Sequence, residues 1–231
     1  MSLHAFAVQN LTLLRDLPRD HQEKIASQMT ERSYARREIV MRKDDSFPHL
    51  GFLLDGRLQG VDFTVDGREV GLYFVDESEY FGELSVIDGR PRSEHIIAVA
   101  RSRVAFLPRE LARQVMFLTP NIAEQVAGRL ARRIRAVSAH RTILSLPNPS
   151  QRICAHLVEL ATALADGSLR IEHAPTHQEI AIMLNTSRET VTRTFQVLQS
   201  KGIVRRHEGQ IAVERPDSLR AIALGAEDPP K

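Results

Sequence analysis

Two stretches of this 231-residue chain concentrate side chains suited to recognition, and neither contains a nucleophile beside a base. The first is Ser187-Arg-Glu-Thr-Val-Thr-Arg193. Helical spacing turns Val191, Phe195 and Leu198 inward and leaves Arg188, Glu189, Thr192, Arg193 and Gln196 outward. Arginine forks fit guanine O6 and N7, and a glutamate accepts from cytosine N4, so this edge suits the major groove of DNA. Thr176 precedes Glu179 by three residues and Thr186 precedes Glu189 by three, which predicts two capping boxes. Asn185, between them, is suited to the left-handed conformation that ends one helix and redirects the chain. Helices are therefore expected over 177–184 and 187–200. Thr176, Gln178 and Ser187 join Arg188, Glu189, Thr192 and Arg193 as candidate DNA contacts, and Lys201 and Arg206 are expected on phosphates.

The second stretch is Phe81-Gly-Glu-Leu-Ser85 followed by Gly89-Arg-Pro-Arg-Ser93. Gly82 lets backbone approach an anion, and the N–H groups opening a short helix at 82–86 are ready donors. Arg92, set after Pro91, can fork onto phosphate oxygens. Glu83 can accept a ribose hydroxyl, and Ser93 adds a donor. Phe81, Gly82, Glu83, Leu84, Ser85, Arg92 and Ser93 are thus the candidate ligand residues.

The surrounding elements must hold these groups. The first 34 residues read as short helices split at Pro18. From Tyr34 to about Leu107 short apolar runs alternate with turns, and Asp55-Gly56 and Asp66-Gly67 are hairpin signals. Strands at this spacing argue for an antiparallel sandwich or roll. After Pro120, Ile122, Val126, Leu130, Ile134 and Val137 form one helical stripe with Ala123, Ala127 and Ala131 beside it, running to about Leu146. A helix of about 25 residues is about 38 Å long, and the small residues admit a partner helix. Pro147-Asn-Pro149 is an expected hinge. Beyond it come a helix over 150–165 closed by Asp166-Gly167, a strand over 169–173, the two short helices, and a strand pair at 203–206 and 210–213 around Glu208-Gly209. That order describes a winged helix. The expected class is α+β: a β-roll over 1–119, a dimerisation helix over 120–146, a winged helix-turn-helix over 147–222 and a tail over 223–231.

Composition narrows the function classes. The net charge of +2 is uneven. Residues 1–119 carry 16 basic and 18 acidic side chains, whereas 120–146 carry Arg129, Arg132, Arg133, Arg135 and Arg141 against Glu124 alone. Local positive charge of this kind is a nucleic-acid footprint. The single cysteine, Cys154, supplies neither a disulfide framework nor an iron–sulfur ligand set and is expected in the core. The nine histidines show no metal-ligand spacing, so no metal is expected. No apolar run suits a membrane span and no signal pattern opens the chain, which points to the cytoplasm. No catalytic residue is assigned.

The Ser187–Arg193 phrase closely resembles the recognition helix of the cAMP receptor protein/FNR (Crp/Fnr) family of bacterial regulators, and Gln178-Glu-Ile-Ala181 resembles that family's preceding helix. The Gly82–Arg92 cassette, with its ten-residue step, resembles the phosphate-binding cassette of cyclic-nucleotide-binding domains. The resemblance covers roughly residues 35–222. It implies that Arg188, Glu189 and Arg193 contact bases in an inverted repeat with TGTGA-like half-sites. It also implies a homodimer, RNA polymerase as a further partner, and a cyclic nucleotide as a non-covalent effector. The family's adenine-contacting hydroxyl pair corresponds to Val137 and Ser138, so only Ser138 keeps a hydroxyl. Two further positions depart from the pattern: Glu94 stands where alanine is usual, and Glu77-Ser78-Glu79 where such domains place a glycine. Cyclic-di-GMP, no nucleotide at all, and a cyclic-nucleotide-regulated enzyme subunit are the alternatives.

Overall fold

In the computed structural model, residues 8–46, 49–65, 67, 69–164, 168–207 and 209–227 are described. The chain divides into two compact units between Arg132 and Arg133, inside one long helix.

The first unit is a roll of two four-stranded antiparallel sheets. Its elements are α1 (Arg19–Gln28), β1 (Thr30–Tyr34), β2 (Ile39–Met41), β3 (His49–Asp55), β4 (Leu58–Phe63), β5 (Glu69–Val75), β6 (Tyr80–Phe81), α2 (Glu83–Asp88), β7 (His95–Ala98), β8 (Ser102–Pro108) and α3 (Arg109–Leu118). One sheet runs β1-β8-β3-β6 and the other β2-β7-β4-β5. Between them lies a core of Leu53, Phe81, Val104 and Phe106 from the first sheet and Met41, Leu58, Val75 and Ile96 from the second. The first sheet is covered on its other face too. Leu50, Phe52, Ala105 and Leu107 pack with Ile25 of α1, Met29 just after it, and Val115 and Met116 of α3. That double burial explains why β3 and β8 are near-continuous apolar runs rather than alternating ones.

Several expectations change here. Residues 30–34 are strand, not helix, because Thr30–Tyr34 pairs with Ser102–Phe106. Asp55-Gly56 is not a hairpin turn, since β3 and β4 belong to different sheets. Gly56, at φ 94°, turns the chain from one sheet to the other, with Arg101 O only 2.3 Å from where a Cβ would stand. The β4–β5 hairpin is real, pairing Phe63 with Glu69. Its Asp66 lies outside the described residues, while Gly67 takes a φ of 79°.

Helix α4 (Pro120–Leu144) is one continuous 25-residue helix. Its apolar stripe splits in use. Ile122 and Val126 are buried in the first unit's own core and Leu130 packs against it, whereas Ile134 and Val137 are 69% and 62% exposed. The stripe expected on a dimerisation helix is therefore only partly open to a partner: its first half is already covered by this chain.

The second unit contains α5 (Pro149–Leu160), β9 (Thr162–Ala163), β10 (Leu169–Ile171), α6 (His177–Met183), α7 (Arg188–Ser200), β11 (Val204–His207), β12 (Gln210–Val213) and α8 (Pro216–Ala223). Its sheet order is β11-β12-β10-β9. Helix α5 starts at Pro149 under an Asn148 cap that accepts from Ser150 N at 2.8 Å. It stops at Leu160 rather than 165, because Thr162 and Ala163 pair with β10. The expected Asp166-Gly167 stop and Glu208 of the wing turn lie outside the described residues. Helix α8, which the pattern did not announce, packs on α5 and buries Leu219 and Ile222. Cys154 is fully buried, and burial pushes its thiol up to about 12.

Candidate functional site

The helix-turn-helix is built from α6, a tight turn and α7. Thr176 caps α6 in a complete capping box: Glu179 N donates to Thr176 Oγ1 at 3.2 Å and Thr176 N to Glu179 Oε2 at 2.6 Å. Asn185 takes the left-handed conformation, φ 47°, and Thr186 N closes the turn onto Ala181 O at 3.0 Å. The second box is corrected. The cap of α7 is Ser187, whose hydroxyl accepts from Thr190 N at 3.1 Å, not Thr186. Glu189 sits in the first turn of α7, and hydrogen bonds from its own backbone N–H and from Ser187 hold its carboxyl below the usual range.

Val191, Phe195 and Leu198 are buried as expected, and Arg188, Glu189, Arg193 and Gln196 are exposed. No hydrogen bond or ion pair holds the side chains of Arg188 and Arg193 among the described residues. Gln178 and Lys201 are exposed as well. Two other candidates are employed by the fold itself. Thr192 is half-buried, donating to Arg188 O at 2.9 Å and meeting His177 Nδ1 at 3.0 Å. Arg206 donates to Pro175 O at 3.0 Å and lies 5.9 Å from the Phe195 ring centroid. His177, unremarked in the sequence, stacks on Phe195 at 4.8 Å and joins the two helices. Arg205 is bound to Glu214, the residue that follows the neighbouring strand β12.

In the roll, the cassette residues are gathered but closed on themselves. Gly82 caps α2 at φ 75°, and Arg92 Nη1 would lie 2.6 Å from a Cβ there. Arg92 is 3% exposed and donates to Gly82 O, Ser85 Oγ and His49 O. Burial pushes its guanidinium down from the usual range, against the pull of Glu94 and Glu83. Phe81 and Glu83 are fully buried, and Leu84 points outward at 37% exposure. Glu94 is buried too, accepting from Tyr73 Oη at 2.6 Å and from Ser93 Oγ. Its charge therefore does turn into the cassette region. A cavity of about 200 Å³ adjoins the loop, lined by Asp45, Ser46, Ser85, Gly89, Arg90 and Pro91. Ser78, in the segment where a glycine is usual, takes the glycine-like φ of 69°.

The arginine count of α4 gave no hint of one further link. Arg129 bonds Glu79 Oε1 at 3.2 Å and Tyr80 O at 2.8 Å, and stacks 4.3 Å from the Tyr80 ring centroid. The strand that leads into the cassette is thereby fastened to the long helix, and Glu79 has an electrostatic reason to be acidic. A larger cavity of about 580 Å³ opens beside this contact, with Gln125, Arg129 and Arg132 in its wall. Ser138 lies exposed on α4 in the second unit.

Residues 31–117 match the cyclic nucleotide-binding domain family, and residues 151–222 match the Crp-like helix-turn-helix domain family. The chain belongs to the Crp/Fnr family.

Among relatives of this Crp/Fnr chain, the cyclic AMP receptor protein of Thermus thermophilus is 32% identical over 147 residues. That match spans 64% of this chain and just under two thirds, 66%, of the relative. The CRP-like cAMP-activated global transcriptional regulator of Mycobacterium tuberculosis is 26% identical over 198 residues, 84% of this chain and 88% of that one. The structure of FixK2 from Bradyrhizobium japonicum has the same fold, with a TM-score of 0.69 at 20% identity, covering 84% of this chain and 96% of that chain. The chain is thus a transcription regulator of the Crp/Fnr type with a cyclic nucleotide-binding domain and a helix-turn-helix DNA-binding domain. Among the described residues no helix is long and apolar enough to cross a membrane.

Proposed function

We propose that this Crp/Fnr chain acts as a cytoplasmic homodimer that reads an inverted-repeat DNA site through α7, under control of a cyclic nucleotide of the cAMP kind. The observation that carries the DNA reading is the exposed edge of Arg188 and Arg193 on a helix fixed by its cap and by Phe195. Arginines without internal partners, on a rigid helix, are available to fork onto guanines. The exposed pair Ile134 and Val137 supports a helix-to-helix dimer contact, because a paired α4 would cover both. Two such subunits set the half-sites about one helical turn, ~34 Å, apart, with TGTGA-like half-sites and RNA polymerase as the further partner that the family resemblance implies. The chain acts by binding, not by catalysis.

The cAMP reading of the effector is supported by the cassette's residue types and by the two relatives whose names carry cAMP. Ligand entry requires Arg92 to exchange its internal acceptors for phosphate oxygens. The Arg129 link then offers a path from cassette strand to α4, and the coupling it transmits equals the ligand's differential affinity for the two arrangements.

A second reading, effector-free regulation, is favoured by one observation. The cavity at the cassette, about 200 Å³, is below the ~300–1,000 Å³ typical of ligand pockets. Calorimetric titration of the purified protein with cAMP, cGMP and cyclic-di-GMP separates these readings. Binding-site selection from random DNA, with and without ligand, tests the DNA reading. A selected motif lacking dyad symmetry, or unaltered in Arg188→Ala and Arg193→Ala, overturns it.

A further inference from the structure

A separate group of donors lies in the second unit, away from the edge of α7. His140 stands near the end of α4, and His156 and Glu159 stand one turn apart on α5. One ligand atom from each, two imidazole nitrogens and a carboxylate oxygen, lies within 4.8 Å of the others. The two rings meet edge to face with centroids 6.0 Å apart.

His156 is the telling member. It is 4% exposed, and neither of its ring nitrogens has a hydrogen-bond partner. Its Nδ1 faces Glu159 Oε2 at 3.5 Å, beyond hydrogen-bond reach. Buried polar atoms are nearly always satisfied, and leaving them unsatisfied is costly. Its neighbours Ile153 and Leu157 are fully buried apolar residues, so packing alone gives no reason for an imidazole at this position.

His140 is already in the protonation state a ligand needs. Its Nε2 lies 3.1 Å from Met183 O. A carbonyl only accepts, so Nε2 carries the proton, and in the neutral ring Nδ1 keeps its lone pair. Histidines that bind metals characteristically donate their other nitrogen to a carbonyl or carboxylate in this way. Glu159 is exposed and gives the group a route to solvent.

We propose that His140, His156 and Glu159 bind one divalent transition-metal ion of the zinc class, leaving a fourth position for water or a partner group. Two imidazoles and one carboxylate suit zinc and its neighbours; magnesium and calcium require oxygen ligands throughout. Zinc bonds of about 2.0–2.2 Å call for ligand atoms closer together than 4.8 Å, so the three side chains must draw in by rotation as the ion binds. The bound ion would fasten the last turns of α4 to α5. Through Met183 O it would also touch the end of α6, immediately before the turn into α7.

The test is calorimetric titration of untagged, chelator-treated full-length protein with ZnCl2, with CoCl2 absorption as a spectroscopic check. The expected result is one ion per chain, the visible bands of tetrahedral cobalt, and a higher melting temperature with zinc. Glu159→Gln, at an exposed position, should weaken zinc binding about tenfold or more, and His140→Gln should do likewise. His156→Leu should abolish uptake and raise the melting temperature of the metal-free protein, because the unsatisfied nitrogens are gone. Absence of zinc uptake at submillimolar metal overturns the proposal. So does uptake whose affinity is unaltered in Glu159→Gln and His140→Gln.

Discussion

Arg188 and Arg92 are both arginines with a glutamate near at hand, one offered to a base edge and the other to a phosphate. The fold treats them oppositely. Arg188 stands in solvent on a convex helix, where the chain has no acceptors to give it. Arg92 lies in the wall of the roll, 3% exposed, where three of the protein's own oxygens accept from it. Binding at α7 therefore adds contacts to a finished structure, whereas binding at the cassette must exchange existing ones. Sites of the first kind tolerate substitution without loss of fold; sites of the second kind are part of the fold.

The sharpest break in this comparison is Arg92→Ala. It strips three acceptors of their donor and leaves Glu83 and Glu94 buried without their guanidinium. The expected loss is about 3–5 kcal/mol of unfolding free energy, seen as a lower urea midpoint, together with loss of nucleotide binding. An unaltered midpoint would mean that the cassette is not closed as described.

The long helix offers the next contrast. Leu130→Glu should cost about 2 kcal/mol of stability, because Leu130 packs on the roll's own core. Ile134→Glu with Val137→Glu should leave unfolding of the monomer within about 0.5 kcal/mol of wild type while shifting sedimentation from dimer to monomer. Dimers that persist in the double variant would move the interface elsewhere.

On α7, Arg188→Ala should weaken specific DNA binding by about 1–3 kcal/mol and relax preference at one guanine, with the melting curve unchanged. Lys201→Ala should weaken all sequences alike and reduce the salt slope by about 1. Arg206→Ala should also lower stability, since its guanidinium holds Pro175 O; titration across salt beside thermal melts separates the three.

The smallest effect concerns pH. Burial, then Arg206 and Arg188, lower the pKa of His177. The unfolded chain then binds the proton more readily, so stability is lost as pH falls below about 6.5. His140 acts with the same sign. The second unit should melt at progressively lower temperature from pH 7.5 toward 5, and His177→Gln should flatten part of that slope.

What the sequence determined by itself is what local physics determines. Thr176-x-x-Glu179, Asn185 and the spacing of Val191, Phe195 and Leu198 encode a helix, a turn and a buried face within 25 residues, and all three are found. The class of two sheets, long helix and winged helix was legible for the same reason, from periodicity and turn residues. Only the tertiary structure decided which of the expected groups are already engaged. The cap of α7 fell to Ser187, one residue from the expected Thr186, because the turn geometry and not the spacing selects the oxygen nearest Thr190 N. The stripe of α4 divided at Leu130 because half of it meets the roll. His140 and His156 stand 16 residues apart on two helices, and no spacing rule anticipates their approach. Arg92 was read as a ligand fork because its type and place fit one. Its acceptors, Gly82 O at the cap of α2 and His49 O on β3, are backbone atoms brought together only by the folding of the roll, and a carbonyl's position is written in no single residue.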